Sequence, residues 1–351
     1  MRTRGRIKLD YGRDMAIVRT KWQWSMLGIF LAFLALLPYL LSWTGNVSWL
    51  TFLNFTLITI VAVLGLNIIT GMAGQISLGH SAFVMVGAYA VAILMMKGNL
   101  PFWLALPVSS LITAVAGILV GAPSLRLKGF YLAVATFAFF FIAQYIIRNL
   151  EIAGGSVGLI GMPPVKIGDL RIKTDTDWYY LILVVTIASV ILSANLTRSR
   201  LGRAFLALRD NDITAASMGI NIYLTKLRAF FIGSLFAGIA GSLWACYITV
   251  VTPEQFNIWD SIWYLGMIVI GGGGSTAGAV LGVVFLRFIS QGLHVISTAS
   301  WAPPLSSSTW ISTTFAIYGL IIVLFVSFQP YGLISVWRKI KIHYKRWPFG
   351  Y

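Results

Sequence analysis

The sequence predicts an all-α protein, a polytopic transmembrane helical bundle of eight to ten spans with broken or re-entrant segments and both termini cytoplasmic. Three observations carry this. Of 351 residues, 58% are hydrophobic and only 10% charged, far below the roughly 25% of a soluble domain. Mean hydropathy is +0.85. Basic residues avoid the apolar runs and sit between them, so the net charge of +16 reads as membrane topology rather than nucleic-acid affinity. This composition excludes single-core soluble enzymes, nucleic-acid modules and disordered tails.

The spans follow in order. A crossing needs about 20 apolar residues. Trp22 to Met96 contains no Asp, Glu, Lys or Arg, and fits spans at 23–43, 49–70 and 80–96. Their weakly polar breaks are Ser42–Asn46 and Gly71–Gln75. Further spans fit 101–122, ending before Pro123 where helices tend to stop, and 129–147. A polar segment over 148–177 precedes spans at 178–196 and 229–250. Two shorter pieces, 262–272 and 278–296, flank Gly271-Gly272-Gly273-Gly274-Ser275. They read either as two crossings or as one re-entrant pair. A last span fits 309–328.

Charge bias orients the count. With the N-terminus inside, segments 1–21, 123–128, 197–228 and 329–351 are cytoplasmic and hold 20 of the 26 Lys and Arg residues, against five outside. The reverse orientation inverts this bias and is rejected. The chain thus divides into a basic N-terminal segment (1–21), a membrane domain (22–328) and a basic tail (329–351), the tail anchoring on anionic lipid. No cleavable signal is expected, because the first apolar run is long enough to span.

The cytoplasmic segment 197–228 is too polar to span yet patterned. Leu201, Phe205, Leu208, Ile213 and Ala216 follow an approximate helical period. Asp210 and Asn211 suit an N-cap for a short helix over 212–218, and Gly219 suits its left-handed end. Such a helix either buries its apolar face in a groove of a partner or lies on the inner leaflet.

Gly202, Arg203, Ala204, Arg209, Asp210, Asn211, Asp212, Ala215, Ala216, Met218, Gly219, Ile220 and Asn221 form a run that resembles the cytoplasmic coupling loop of ABC-importer permeases. It is most similar to the branched-chain amino-acid (LivM-type) permease family. Ser217 follows Ala215-Ala216 in place of the family's usual glutamate. Gly65-Leu66-Asn67 through Gly71, Gly74-Gln75, Ser77-Leu78-Gly79-His80 and Gly87-Ala88-Tyr89 resemble the family's early signature. Leu127-Lys128-Gly129-Phe130-Tyr131-Leu132-Ala133 resembles its central one. Arg148-Asn149 with Gly154-Gly155-Ser156, Gly158-Leu159 and Gly161-Met162-Pro163 resembles its external loop.

The resemblance implies a permease subunit in the bacterial inner membrane that carries branched-chain or related amino acids. It implies four kinds of partner: two separate ATPase subunits, a second related permease, a periplasmic or extracellular solute-binding protein, and membrane lipid. It also assigns Gly202, Arg203, Arg209, Asp210, Asn211, Ala215, Ala216 and Gly219 to ATPase coupling. The chain has no Gly-x-x-x-x-Gly-Lys-[Ser/Thr] phosphate loop, so ATP is expected to be used by the partners, with no cofactor bound here. Cys246 is the only cysteine, and His80, His294 and His343 lie far apart. Neither a metal site nor an enzyme's acid–base constellation is expected.

Irregular backbone at membrane depth lines cavities or packs on protein. Gly71–His80 is therefore a candidate for the solute path, with Gln75, Ser77 and His80 as neutral donors and acceptors. Read structurally, it is a cytoplasmic turn with His80 bonded locally. Arg287 reads first as a snorkelling side chain and otherwise as functional. Gly233, Ala237 and Gly241 read as a helix-packing stripe. Glu254 and Asp260 read as a solvated loop face. The rival function is an ATP-independent channel or secondary carrier, which expects buried acids to couple ions; here the acids fall in predicted loops.

Overall fold

The computed structural model describes residues 21–43, 47–123, 129–167, 170–298, 307–329 and 331–346. The basic segment up to residue 20, Leu127-Lys128 of the central signature, Asp169 and residues 347–351 of the tail lie outside the described residues.

Two compact units divide at Thr51 and Phe52. The first holds α1 (Lys21–Trp43), an apolar helix with Pro38 inside it, and the first turn of α2 (Val47–Leu66). Ile29, Phe30, Phe33 and Leu36 of α1 are exposed, as suits a helix facing lipid.

The second unit holds the rest. Beyond Leu66, α2 loosens into a π-helical stretch, Asn67–Met72. Then come α3 (His80–Met96), α4 (Phe102–Gly121), α5 (Phe130–Asn149), α6 (Asp175–Arg198), α7 (Arg200–Asp210), α8 (Asp212–Ser217) and α9 (Ile222–Ile248). The chain ends with α10 (Ile258–Gly271), α11 (Thr276–Thr298), α12 (Ser307–Phe328) and α13 (Gly332–Arg346). Polar caps mark where apolar runs begin. Thr174 and Asp177 form a reciprocal capping box at α6, and Asn257 and Asp260 form another at α10. The 148–177 segment is held by β1 (Leu159–Ile160), which pairs antiparallel with β4 (Val250–Val251). A smaller ladder joins β2 (Lys166–Ile167) to β3 (Leu170–Arg171).

Six described helices are long and apolar enough to cross a membrane, and shorter apolar stretches lie within α1, α3 and α12. This is a multi-pass helical membrane protein. The Gly271–Ser275 break separates two helices of unequal length, as the two predicted pieces were. At 14 residues, α10 is about 21 Å long, short of a hydrocarbon core of about 30 Å. At 23 residues, α11 is about 35 Å. The 262–296 region is therefore a helix too short to cross folded against a full-length one.

The core sits around α9. Ala229, Phe230, Gly233, Ala237, Gly238, Ala240 and Gly241 are buried. The small-residue stripe serves packing within the chain. The α-carbon side of Gly241 lies against the Val84 carbonyl of α3, Gly238 against Ser110 of α4, and Gly233 against Gly65 of α2. Lipid offers no hydrophobic drive for helix association, so backbone approach permitted by small residues supplies the dispersion contacts instead.

A Gly241→Ile substitution places a branched side chain into the α3 backbone. It should cost about 1–3 kcal/mol or more and lower the thermal midpoint of the detergent-purified protein. Gly319→Ala, where nothing lies within 4 Å of an added Cβ, should leave that midpoint in place.

Candidate functional site

The 197–228 segment folds as a helical elbow between α6 and α9. Ser199 caps α7 by accepting from the Gly202 N–H at 3.1 Å. Gly202 is required by the tight corner, since a Cβ there would overlap the Leu196 carbonyl. Phe205 and Leu208 are buried and seat α7 on the bundle. Asn211 then interrupts the helix and caps α8, its Oδ1 accepting from the N–H groups of Ile213 and Thr214 at 3.0 and 3.1 Å. Gly219 ends the elbow with φ +79°. The Gly219 N–H donates to the Ala216 carbonyl and the Ile220 N–H to the Ala215 carbonyl.

The predicted cap and terminator therefore hold, but the continuous apolar face does not. Because Asn211 breaks the helix, the face turns over. Ala215 is buried, whereas Ala216 is exposed, Ile213 is 72% exposed and Met218 78%. Asp210 is exposed and leaves the capping to Asn211. Arg203 is exposed too, donating from Nη1 to the Arg198 carbonyl at 3.1 Å.

Arg209 reaches back into the bundle. Its Nη1 donates to the Gly71 carbonyl at 2.6 Å and, more weakly, towards the Gly273 carbonyl at 3.5 Å. Gly74, with φ +68°, lies against the Arg209 stem. The two glycine breaks also meet directly, because the Gly274 N–H donates to Asn67 Oδ1 at 2.9 Å. One arginine and one asparagine thus join the elbow, the end of α2 and the start of α11. The chemistry fits the place: a helix C-terminus leaves carbonyls unsatisfied and carries partial negative charge that favours a cation.

The Gly71–His80 segment is exposed at Gly74 and Ile76 and buried towards its end. Ser77, Gly79 and His80 are buried. His80 Nε2 donates across to the Ala62 carbonyl of α2 at 2.9 Å. Because a carbonyl only accepts, the proton is on Nε2, and Nδ1 is the bare nitrogen. Phe83 and Tyr264 meet its ring edge-on. Gln75 is half-buried and donates to its neighbour, the Ala73 carbonyl, at 3.1 Å. His80 Nδ1, Ser77 Oγ and Asn67 Nδ2 are buried without a protein partner. Buried polar atoms left bare are uncommon in an apolar core. The structure brings Ser77 and His80 into this region and leaves Gln75 at its edge.

Sequence reasoning gave Asn67 and Arg209 no bridging role, since their partners are more than a hundred residues away. It also misread two charged residues. Arg287 does not snorkel: Nη2 donates to Thr59 Oγ1 at 2.6 Å and to the Phe55 carbonyl at 3.4 Å, while Nε is buried without a partner. Asp260 is no loop residue. It sits in the first turn of α10, its Oδ2 accepting from the Asn257 N–H at 3.0 Å. Among the described residues, no three of His, Cys, Asp and Glu gather as a metal site.

The family profile described as "Branched-chain amino acid transport system / permease component" matches residues 48–326. The chain is 31% identical to the high-affinity branched-chain amino acid transport system permease protein LivM of Salmonella typhimurium, an alignment covering 87% of this chain and 75% of that one. It is 32% identical to the Escherichia coli LivM over 87% and 74%. It is 25% identical to a probable LivH permease of Methanocaldococcus jannaschii over 80% and 90%. No solved structure matches. With the profile spanning both glycine breaks, the elbow between them and most of the bundle, the chain belongs to the permease-component family of branched-chain amino acid transport systems.

Proposed function

We propose that this chain is the transmembrane permease subunit of an ATP-binding-cassette importer in the bacterial inner membrane. It forms the path for branched-chain or related amino acids together with a second, related permease. Two ATPase subunits drive it, and a periplasmic or extracellular binding protein delivers solute. The chain binds no cofactor of its own, and ATP is used by the partners. The charge bias supports cytoplasmic termini and a cytoplasmic elbow, with residues 22–328 as the permease domain.

The observation that carries the reading is the Arg209 contact. A transmission element needs a tie to the bundle, and the exposed Arg209 turns its guanidinium back to join the elbow to the end of α2, which Asn67 joins in turn to the α10–α11 hairpin. Ile213 and Met218 give α8 an apolar outer face suited to a groove on an ATPase. Closure of the ATPase pair moves α8. The seated α7 moves with it, and Arg209 shifts both breaks, changing which side the path opens to.

Two variants test the coupling in proteoliposomes holding the full assembly. Arg209→Ala removes the charged donor that ties the elbow to Gly71. It should reduce amino-acid uptake about tenfold or more while ATP hydrolysis continues. Equal loss of both activities, or normal uptake, would sink the transmission role.

Gly219→Val forces a β-branched residue into the left-handed region, at a cost of about 1–3 kcal/mol. Nothing lies within 4 Å of an added Cβ, so the strain is confined to the backbone at the end of α8. Uptake per ATP hydrolysed should fall, and Gly219→Asn, which tolerates that conformation, should keep most of it.

A further inference from the structure

Between α2, α10, α11 and α12 lies a cavity of about 320 Å³, inside the range of about 300–1,000 Å³ for small-molecule sites. Its lining is chemically divided. Arg287 and Asp260 bring opposite charges, Tyr264 and Ser290 add hydroxyls, and Met267 and Leu286 bring apolar surface. Arg287 stands 11 residues past the start of α11, about 17 Å from the glycine break along the helix. The cavity is thus distinct from the Arg209 junction.

A guanidinium at membrane depth is costly, and by default it marks a polar ligand or pathway. Thr59 Oγ1 and the Phe55 carbonyl take bonds only from Nη2, while Nε has no protein partner. Both of those acceptors are neutral. Simple helix pairing would be served by Lys or Gln. A planar fork with a spare donor suits a carboxylate, which it can hold through two parallel bonds.

We propose that this cavity binds an α-amino acid with an apolar side chain. Arg287 holds the carboxylate, Asp260 faces the ammonium, and Met267 and Leu286 receive the side chain. This deepens the importer reading and rests on it, giving the chain a substrate site of its own beyond the binding protein.

The test measures binding of tritiated leucine to the full assembly in nanodiscs, without binding protein. Wild type should bind leucine. Leucinamide, which lacks the carboxylate, should fail to compete. Arg287→Gln should weaken binding about tenfold to a hundredfold, the loss of a charge-assisted bond, with Arg287→Lys in between. Unchanged affinity in Arg287→Gln, competition by leucinamide, or no leucine binding to wild type would overturn the site.

Should Arg287→Gln fail to assemble, Ser290→Leu narrows the cavity while leaving the Arg287–Thr59 bond in place. It should likewise abolish binding, and normal binding in it would overturn the site. ATP-driven uptake by wild type, measured in parallel with the binding protein present, separates the two readings. Its absence sinks the importer, whereas its presence with unaltered Arg287→Gln binding sinks only the cavity.

Discussion

Peptide groups stripped of water must find partners, and inside a membrane those partners must be protein. That constraint organises this molecule around Gly71 and Gly274, where two helices stop within the bundle. The Gly71 carbonyl is answered by Arg209 and the Gly274 N–H by Asn67. The two Arg209 bonds are unequal, 2.6 Å to Gly71 against 3.5 Å to Gly273. The elbow is therefore tied more closely to the end of α2 than to the hairpin. The group that completes the α2 break belongs to an element outside the membrane domain's core, which is the arrangement the coupling role proposed above requires.

Transmission also needs stiffness, and glycine supplies it by letting backbones touch. Gly271 lies against Gly278 and Gly282 across the α10–α11 hairpin, and Gly332 at the head of α13 packs on Gly272. Around α9 the same close approach recurs at Gly233, Gly238 and Gly241. Packed interiors respond to displacement by moving as blocks rather than deforming smoothly. These close approaches leave little side-chain slack between Gly71, the hairpin and the head of α13.

Much of this was legible in the sequence because it is local. Apolar runs set the helices to within a few residues, Asn211 marked a cap, and Gly219 marked a left-handed end, since each depends on residues within one turn. The contacts that give the site its character are long-range. Nothing near Arg209 signals a carbonyl 138 positions away, and nothing near Arg287 signals Thr59 at 228. The periodicity through Leu201–Ala216 misled because one break at Asn211 rotates every later residue, carrying Ile213 outwards. Arg287 misled because a charge near the middle of a glycine-flanked run has no depth until the asymmetric lengths of α10 and α11 are known.

The α2 helix runs from the cavity to the breaks. Phe55, Thr59 and Ala62 share one face at helical spacing, Asn67 follows five residues on at the start of the π-helical stretch, and each offers a polar group to another element. Phe55 and Thr59 meet Arg287, Ala62 meets His80, and Asn67 meets Gly274. Tyr264 lines the cavity and packs on His80, so it adjoins both stations. Three of the bare buried atoms, Arg287 Nε, His80 Nδ1 and Asn67 Nδ2, belong to residues in this series or bonded to it. A dry, purely structural bundle gains nothing from bare polar atoms that cost about 1–3 kcal/mol each. A bundle that must pass a zwitterion gains a succession of neutral and charged partners along a helix whose far end is held by the elbow. The pattern along α2 is therefore what the proposed importer requires of the helix that joins its cavity to its elbow.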